Sequence, residues 1–101
     1  EGETAQAAYH RGNWMDIAEN LAGHRGTGNA LGGVAFEWTD EWWKNYEPYR
    51  HDRKSDAIGP FPGGYYFEEW FGLTSQGNGQ HSPFMRQLRK SYFAYKEMWS
   101  R

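Results

Sequence analysis

Cysteine is absent from the 101-residue chain, which removes disulfides, thiolate catalysis and zinc–thiolate sites. That absence leaves the compartment open, and an extracellular or periplasmic setting is the favoured expectation. Branched aliphatics are scarce: Val34, Ile17 and Ile58 are the full supply of Val and Ile. These residues usually fill cores and strands, so the chain has little with which to build either. Charge of one sign is missing too. Eleven basic and 13 acidic residues leave a net charge of −2, no electrostatic footprint for nucleic acid. No apolar run approaches the roughly 20 residues of a membrane helix. Neither nucleic acid nor membrane is therefore an expected partner. A chain of this length forms one small domain at most and is marginally stable alone. Because it opens on Glu1, it is expected to be a processed chain, an excised piece or a subunit.

Several chemistries lack their signatures. There is no Ser-His-Asp elbow and no phosphate-loop glycine pattern. The stretch GTGN at 26–29 precedes a candidate strand, the wrong order for a dinucleotide site. His10, His24, His51 and His81 are scattered, and His51-Asp52 with Asp56 has no second ligand pair at fixed spacing. No metal and no cofactor is expected.

What the chain does have is aromatic side chains: six Trp, seven Tyr and six Phe. Twelve of them lie between Phe36 and Phe71, interleaved with acids. Either aromatics build the core here, or many of them line a surface that binds something.

Ala7, Ala8, Trp14, Ile17, Ala18 and Leu21 fall near a 3.6-residue period, which predicts a helix over 4–22. Glu3 suits its first turn and Gly23 its end, while Gly12-Asn13 weakens its middle. HRGTGNA at 24–30 reads as a loop. LGGVAFEW at 31–38 is apolar almost to its end, the pattern of a strand covered on both faces, as in parallel sheets flanked by helices. Gly32 and Gly33 suggest close backbone approach where that strand enters. Residues 39–82 offer no regular element. Such a long loop, rich in aromatics, is expected to be ordered and functional. Ser82-Pro83 is a helix start, and Phe84, Leu88, Tyr92, Tyr95 and Trp99 continue one stripe, predicting a helix over 83–100. A single strand cannot satisfy its own backbone, so partners for 31–38 are expected outside this chain.

Three stretches carry a resemblance: GGVAFEWTDEWWK (32–44), GGYYFEEWFGLTS (63–75) and SPFMRQLRKSYFAYKEMW (82–99). In order and spacing they resemble the last strand, last loop and last helix of a retaining clan A glycoside hydrolase. Trp70-Phe71-Gly72-Leu73 resembles a "W-x-FGL" phrase of that loop without its intervening residue, and Phe93-Ala94-Tyr95 with Trp99 resembles the closing helix. The opening EGETAQAAYH resembles the segment that follows the seventh strand. The resemblance implies an α/β fold, a partial (β/α)8 TIM barrel consisting of about the eighth strand with its flanking helices. A full barrel needs ~250 residues, so nearly the whole chain would correspond to a barrel's last third or quarter.

The implied function is the C-terminal part of a carbohydrate-active retaining β-glycosidase or transglycosidase, forming one wall of its sugar cleft and inactive alone. Its partners would be a β-linked oligo- or polysaccharide and the remainder of the barrel. Retaining enzymes use two carboxyl groups ~5–5.5 Å apart. In the clan the acid/base follows the fourth strand, which this chain lacks. The nucleophile ends the seventh strand in a Glu-aromatic-Gly phrase. Glu1-Gly2-Glu3 lacks the aromatic, which puts the match in doubt; Glu1 is the candidate. Trp38 would sit at the mouth of the eighth strand, its indole a platform for the apolar face of a pyranose. Asp40 and Glu41 are candidates to accept sugar hydroxyls, or to pin the loop. Trp42 and Trp43 cannot both point one way in an extended chain, so one is expected at the cleft. Trp70 is the expected rim contact. Glu37 reads as part of a loop-pinning network in preference to a hydroxyl acceptor, and Lys44 as a partner of Asp40 in preference to a substrate hydroxyl. The other reading is a noncatalytic carbohydrate-binding or structural assembly subunit, in which the aromatics form a platform or an interface.

Overall fold

The computed structural model describes residues 2–24, 26–41, 43–44, 67–75 and 86–100. They fall into two compact units, residues 1–35 with 89–101, and residues 36–88. Each is built differently.

The first unit is a pair of helices. α1 (Gly2–Glu19) is one continuous helix, uninterrupted by Gly12 or Asn13. α2 (Lys90–Trp99) buries Ser91, Ala94 and Tyr95. Matching contacts climb both helices together. Lys90 Nζ donates to Thr4 Oγ1 (2.7 Å), Ser91 Oγ to Gln6 Oε1 (3.0 Å), and Arg11 pairs with Glu97 (2.8 Å). The Tyr95 hydroxyl meets His10 Nδ1 at 3.0 Å, and Trp14 meets Trp99 edge to face at 5.3 Å. Residue numbers rise along both partners, so the helices run parallel. No side chain of α1 is fully buried. The face it turns to α2 combines polar rungs with aromatic edges, and short aliphatics contribute little. Scarce Val and Ile thus have a structural counterpart: Trp14, Tyr95 and Trp99 supply the apolar area.

α2 begins later than the expected position 83. Residues 87–88 are instead paired as a strand, and Arg89 is extended, with φ −86° and ψ 166° and no side-chain cap. The Lys90 N–H is met by Glu3 Oε2 at 3.3 Å, so α1 provides the acceptor that a Ser82 cap was expected to give. Residues 82–85 lie outside the described residues.

After α1, Leu21 and Ala30 form a parallel bridge around the 24–29 loop. Leu31 to Ala35 then forms no ladder, and among the described residues its backbone makes no hydrogen bond. The expected burial of 31–38 is not found either: Leu31 is 93% and Val34 97% exposed. No described strand of this chain offers an edge to this segment. One side of the segment does meet the helix. A Cβ on Gly33 would come within 2.8 Å of Ile17 Cδ1 and 3.2 Å of Trp14, whereas Gly32 has open space.

The second unit is a small crossing of three chain segments. β1 (Thr74–Ser75) pairs antiparallel with β2 (Gln87–Leu88), and Thr39 bridges Thr74 in parallel. A single 3-10 turn, Phe67–Trp70, leads into β1. Gly72 is the pivot. A Cβ there would lie 2.4 Å from both Asp40 N and Thr74 O, so only glycine lets these backbones approach. Among the described residues no helix is long and apolar enough to cross a membrane.

Candidate functional site

The second unit contains most of the residues singled out in the sequence. Trp38 is held by its backbone: its carbonyl accepts from Thr74 N–H (2.9 Å) and from Thr74 Oγ1 (2.8 Å). The neighbouring Glu37 carbonyl accepts from Leu73 N–H at 2.8 Å. The Trp38 residue itself is 56% exposed. Trp43 and Trp70 also retain more than a third of their surface. Phe36 and Phe67 both meet the Phe71 ring, at 6.2 and 5.3 Å. In this unit aromatic rings therefore remain at the surface on segments fixed by buried backbone.

The acids divide into two roles. Asp40 is fully buried, and its Oδ1 accepts the Gly72 N–H at 2.8 Å. Its carboxylate anchors the 67–75 segment. Glu41 and Glu68 share Lys44, each at 3.2 Å. Hydrogen bonds to Glu68 and then Glu41 hold the Lys44 ammonium above its ordinary pKa. Lys44 was expected to pair with Asp40; its ion pairs are with these two instead, a clip between residues 41–44 and the 3-10 turn.

Glu37 stands apart. Its Oε1 is closed off from solvent and accepts no hydrogen bond. Burial, then the negative charges of Glu41 and Asp40, push its carboxyl up to about 7; Lys44 opposes them and Glu68 adds to them. Near neutral pH this group is divided between its acid and its anion, able to donate or to accept a proton. Sequence reasoning gave Glu37 a pinning role and did not single out Glu68. The signal for Glu37 was its place as the sole charge in GGVAFEW. For Glu68 there was no local signal, because its partner is far away in the chain.

Glu1 and Trp42 lie outside the described residues, as does most of the 39–82 loop. Among the described residues no group of three or more His, Asp or Glu side chains is placed to hold a metal. The first unit has an open hollow of about 660 Å³ beside Ala18, Glu19, Asn20, His24 and Gly26. It has no aromatic face, and the Asn20 side chain is already committed to Asp16 and Thr27.

No protein-family model, curated protein or solved structure matches the chain.

Proposed function

We propose that this chain is the C-terminal part of a retaining β-glycosidase or transglycosidase of the (β/α)8 type, and that it forms one wall of the sugar cleft. The observation that carries this reading is the 31–38 segment: apolar, without a backbone hydrogen bond from Leu31 to Ala35 among the described residues, and ending in an exposed Trp38. An apolar run with bare N–H and C=O groups is stable only when other strands complete it. The parallel course of α1 and α2 supports the same reading. Successive helices of a βα repeat run parallel, with a strand returning between them. α1 already touches the segment at Gly33.

In this reading Trp38 offers its face to the C–H side of a pyranose, and Trp43 and Trp70 extend the aromatic surface. Glu41 accepts sugar hydroxyls while bound to Lys44. Asp40 acts one step back: it holds the Gly72 backbone and so keeps the Trp70–Leu73 rim in place. Catalytic carboxyl groups, with Glu1 the candidate nucleophile on this chain, come together only once the other strands are present. The partner is the remainder of the barrel and the substrate a β-linked oligo- or polysaccharide.

The test begins with native material. Mass spectrometry and gel filtration should find a second, larger polypeptide or a longer form of this one, and the assembled species should turn over aryl β-glycosides. Trp38→Ala in that species should weaken sugar binding about tenfold, roughly 1.4 kcal/mol. An assembled species that turns over no glycoside would overturn the reading. The exposed Leu31 and Val34 favour one other assignment, a noncatalytic carbohydrate-binding or assembly subunit. An assembled species that binds sugar without turnover would select it.

A further inference from the structure

The second unit contains an imbalance that the sugar-cleft reading does not use. Four carboxyl groups, Glu37, Asp40, Glu41 and Glu68, crowd around one ammonium, Lys44. Lys44 is bound to Glu41 and Glu68, and Asp40 is bound to the Gly72 N–H. Glu37 has no donor at Oε1, and that atom has no water access. The groups facing it are Asp40, Glu41 and Lys44 on its own segment and Glu68 on the 3-10 turn. Three of the four are acids.

We propose that Glu37 is a proton-operated latch between residues 36–44 and 67–75: protonated, its shielded oxygen is tolerated and the joint holds; ionised, that oxygen needs solvent and the joint loosens. The neutral acid lets Asp40, Glu41 and Glu68 sit around a single lysine. The anion adds a fourth negative charge on a half-exposed side chain whose shielded Oε1 meets no donor, and only the Lys44 charge offsets it. The raised pKa, about 7 against an ordinary 4.5, fixes the direction. Stability from this group is fully present below 4.5, declines as pH rises, and is gone above about 7. The joint that loosens is the one that seats Trp38, through the Leu73 and Thr74 amides. This latch is independent of what the indole binds.

The test is amide hydrogen exchange of the full chain, corrected for the intrinsic pH dependence of exchange, with a direct titration of 13C-labelled glutamate. Protection of Leu73 and Thr74, whose amides bond across the joint, should fall several-fold, at most about tenfold, between pH 5 and pH 8, because solvent screens part of the charge on this half-exposed side chain. Glu37 should titrate near 7. Glu37→Gln should abolish the pH dependence. Glu41→Gln, which removes a neighbouring negative charge, should move the midpoint to lower pH and serves if Glu37→Gln fails to fold. A Glu37 that titrates in the ordinary carboxylate range would overturn the latch. So would protection that is flat with pH, or unchanged pH dependence in Glu37→Gln.

Discussion

The two halves of this molecule are stabilised by different means. In the helix pair, side chains do the joining: rungs at Thr4–Lys90, Gln6–Ser91, His10–Tyr95 and Arg11–Glu97 with Trp14 and Trp99 between them. Among the described residues of the second unit, backbone groups take a larger part, with the Asp40 carboxylate and the Glu41–Lys44–Glu68 clip beside them. Gly72, Leu73 and Thr74 bond to the chain at 37–40, and Asp40, Glu69 and Thr74 are fully buried while rings stay at the surface. A seam of side chains is weakened in small steps by single substitutions. A joint of close backbones tolerates almost no change in volume. This contrast fits a division in which one half is scaffold and the other presents groups to a ligand.

The comparison breaks most readily at Gly72. Gly72→Ala places a methyl 2.4 Å from two backbone atoms and should cost about 3 kcal/mol or more, with exchange protection lost in 36–44 and 67–75 and kept in α1 and α2. Asp40→Ala comes next. It removes a carboxylate acceptor from a buried N–H, and should cost roughly 2–3 kcal/mol by urea denaturation, in the same half. Trp14→Ala attacks the other half. Because Trp14 is only partly buried, about 2 kcal/mol is expected, less than for a fully enclosed Trp, read as lost helicity.

The halves should also answer pH with opposite sign. Burial lowers the His10 pKa below 6.5, so the unfolded chain binds the extra proton. The helix pair is then fully stable above 6.5 and weakens as pH falls below it. Burial raises the Tyr95 hydroxyl above 10, so the pair weakens again in strong alkali. Region-resolved exchange between pH 5 and 8 should show α1 and α2 tightening while 36–44 and 67–75 loosen. The smallest effect is at Arg11. Its pair with Glu97 is largely exposed, and Arg11→Ala should cost at most about 0.5 kcal/mol, lost in high salt.

How legible this was in the sequence follows from the same contrast. α1 runs Gly2–Glu19 where the 3.6-residue period predicts 4–22, because its stripe from Ala7 to Leu21 is local information. The stripe Tyr92, Tyr95, Trp99 was equally readable, but the start of α2 was not. Glu3 and the β1–β2 pairing decide it, and neither is adjacent in sequence. The apolar run at 31–38 could be read from composition; among the described residues Leu31 to Ala35 has no strand partner. The role of Asp40 could not. Nothing in TDEWWK says that one acid of three will turn inward to the amide of Gly72. Gly72 itself stood out only through the phrase it belongs to, and its physical reason is a backbone approach across more than thirty residues. The sequence reads Glu37 as a loop-pinning acid; in the structure burial of its carboxyl, and after it the charges of Glu41 and Asp40, set its behaviour.

The bare run from Leu31 to Ala35 has one more consequence. Left without its proper neighbours, such a ribbon accepts whatever extended peptide arrives first, and in a concentrated solution that is another molecule of the same kind. Expressed by itself, the chain should cluster as its concentration rises, and a charged residue in place of Val34 should keep it dispersed. If the proposed assembly exists, the surface that joins it is also the one that makes the chain a poor solitary one.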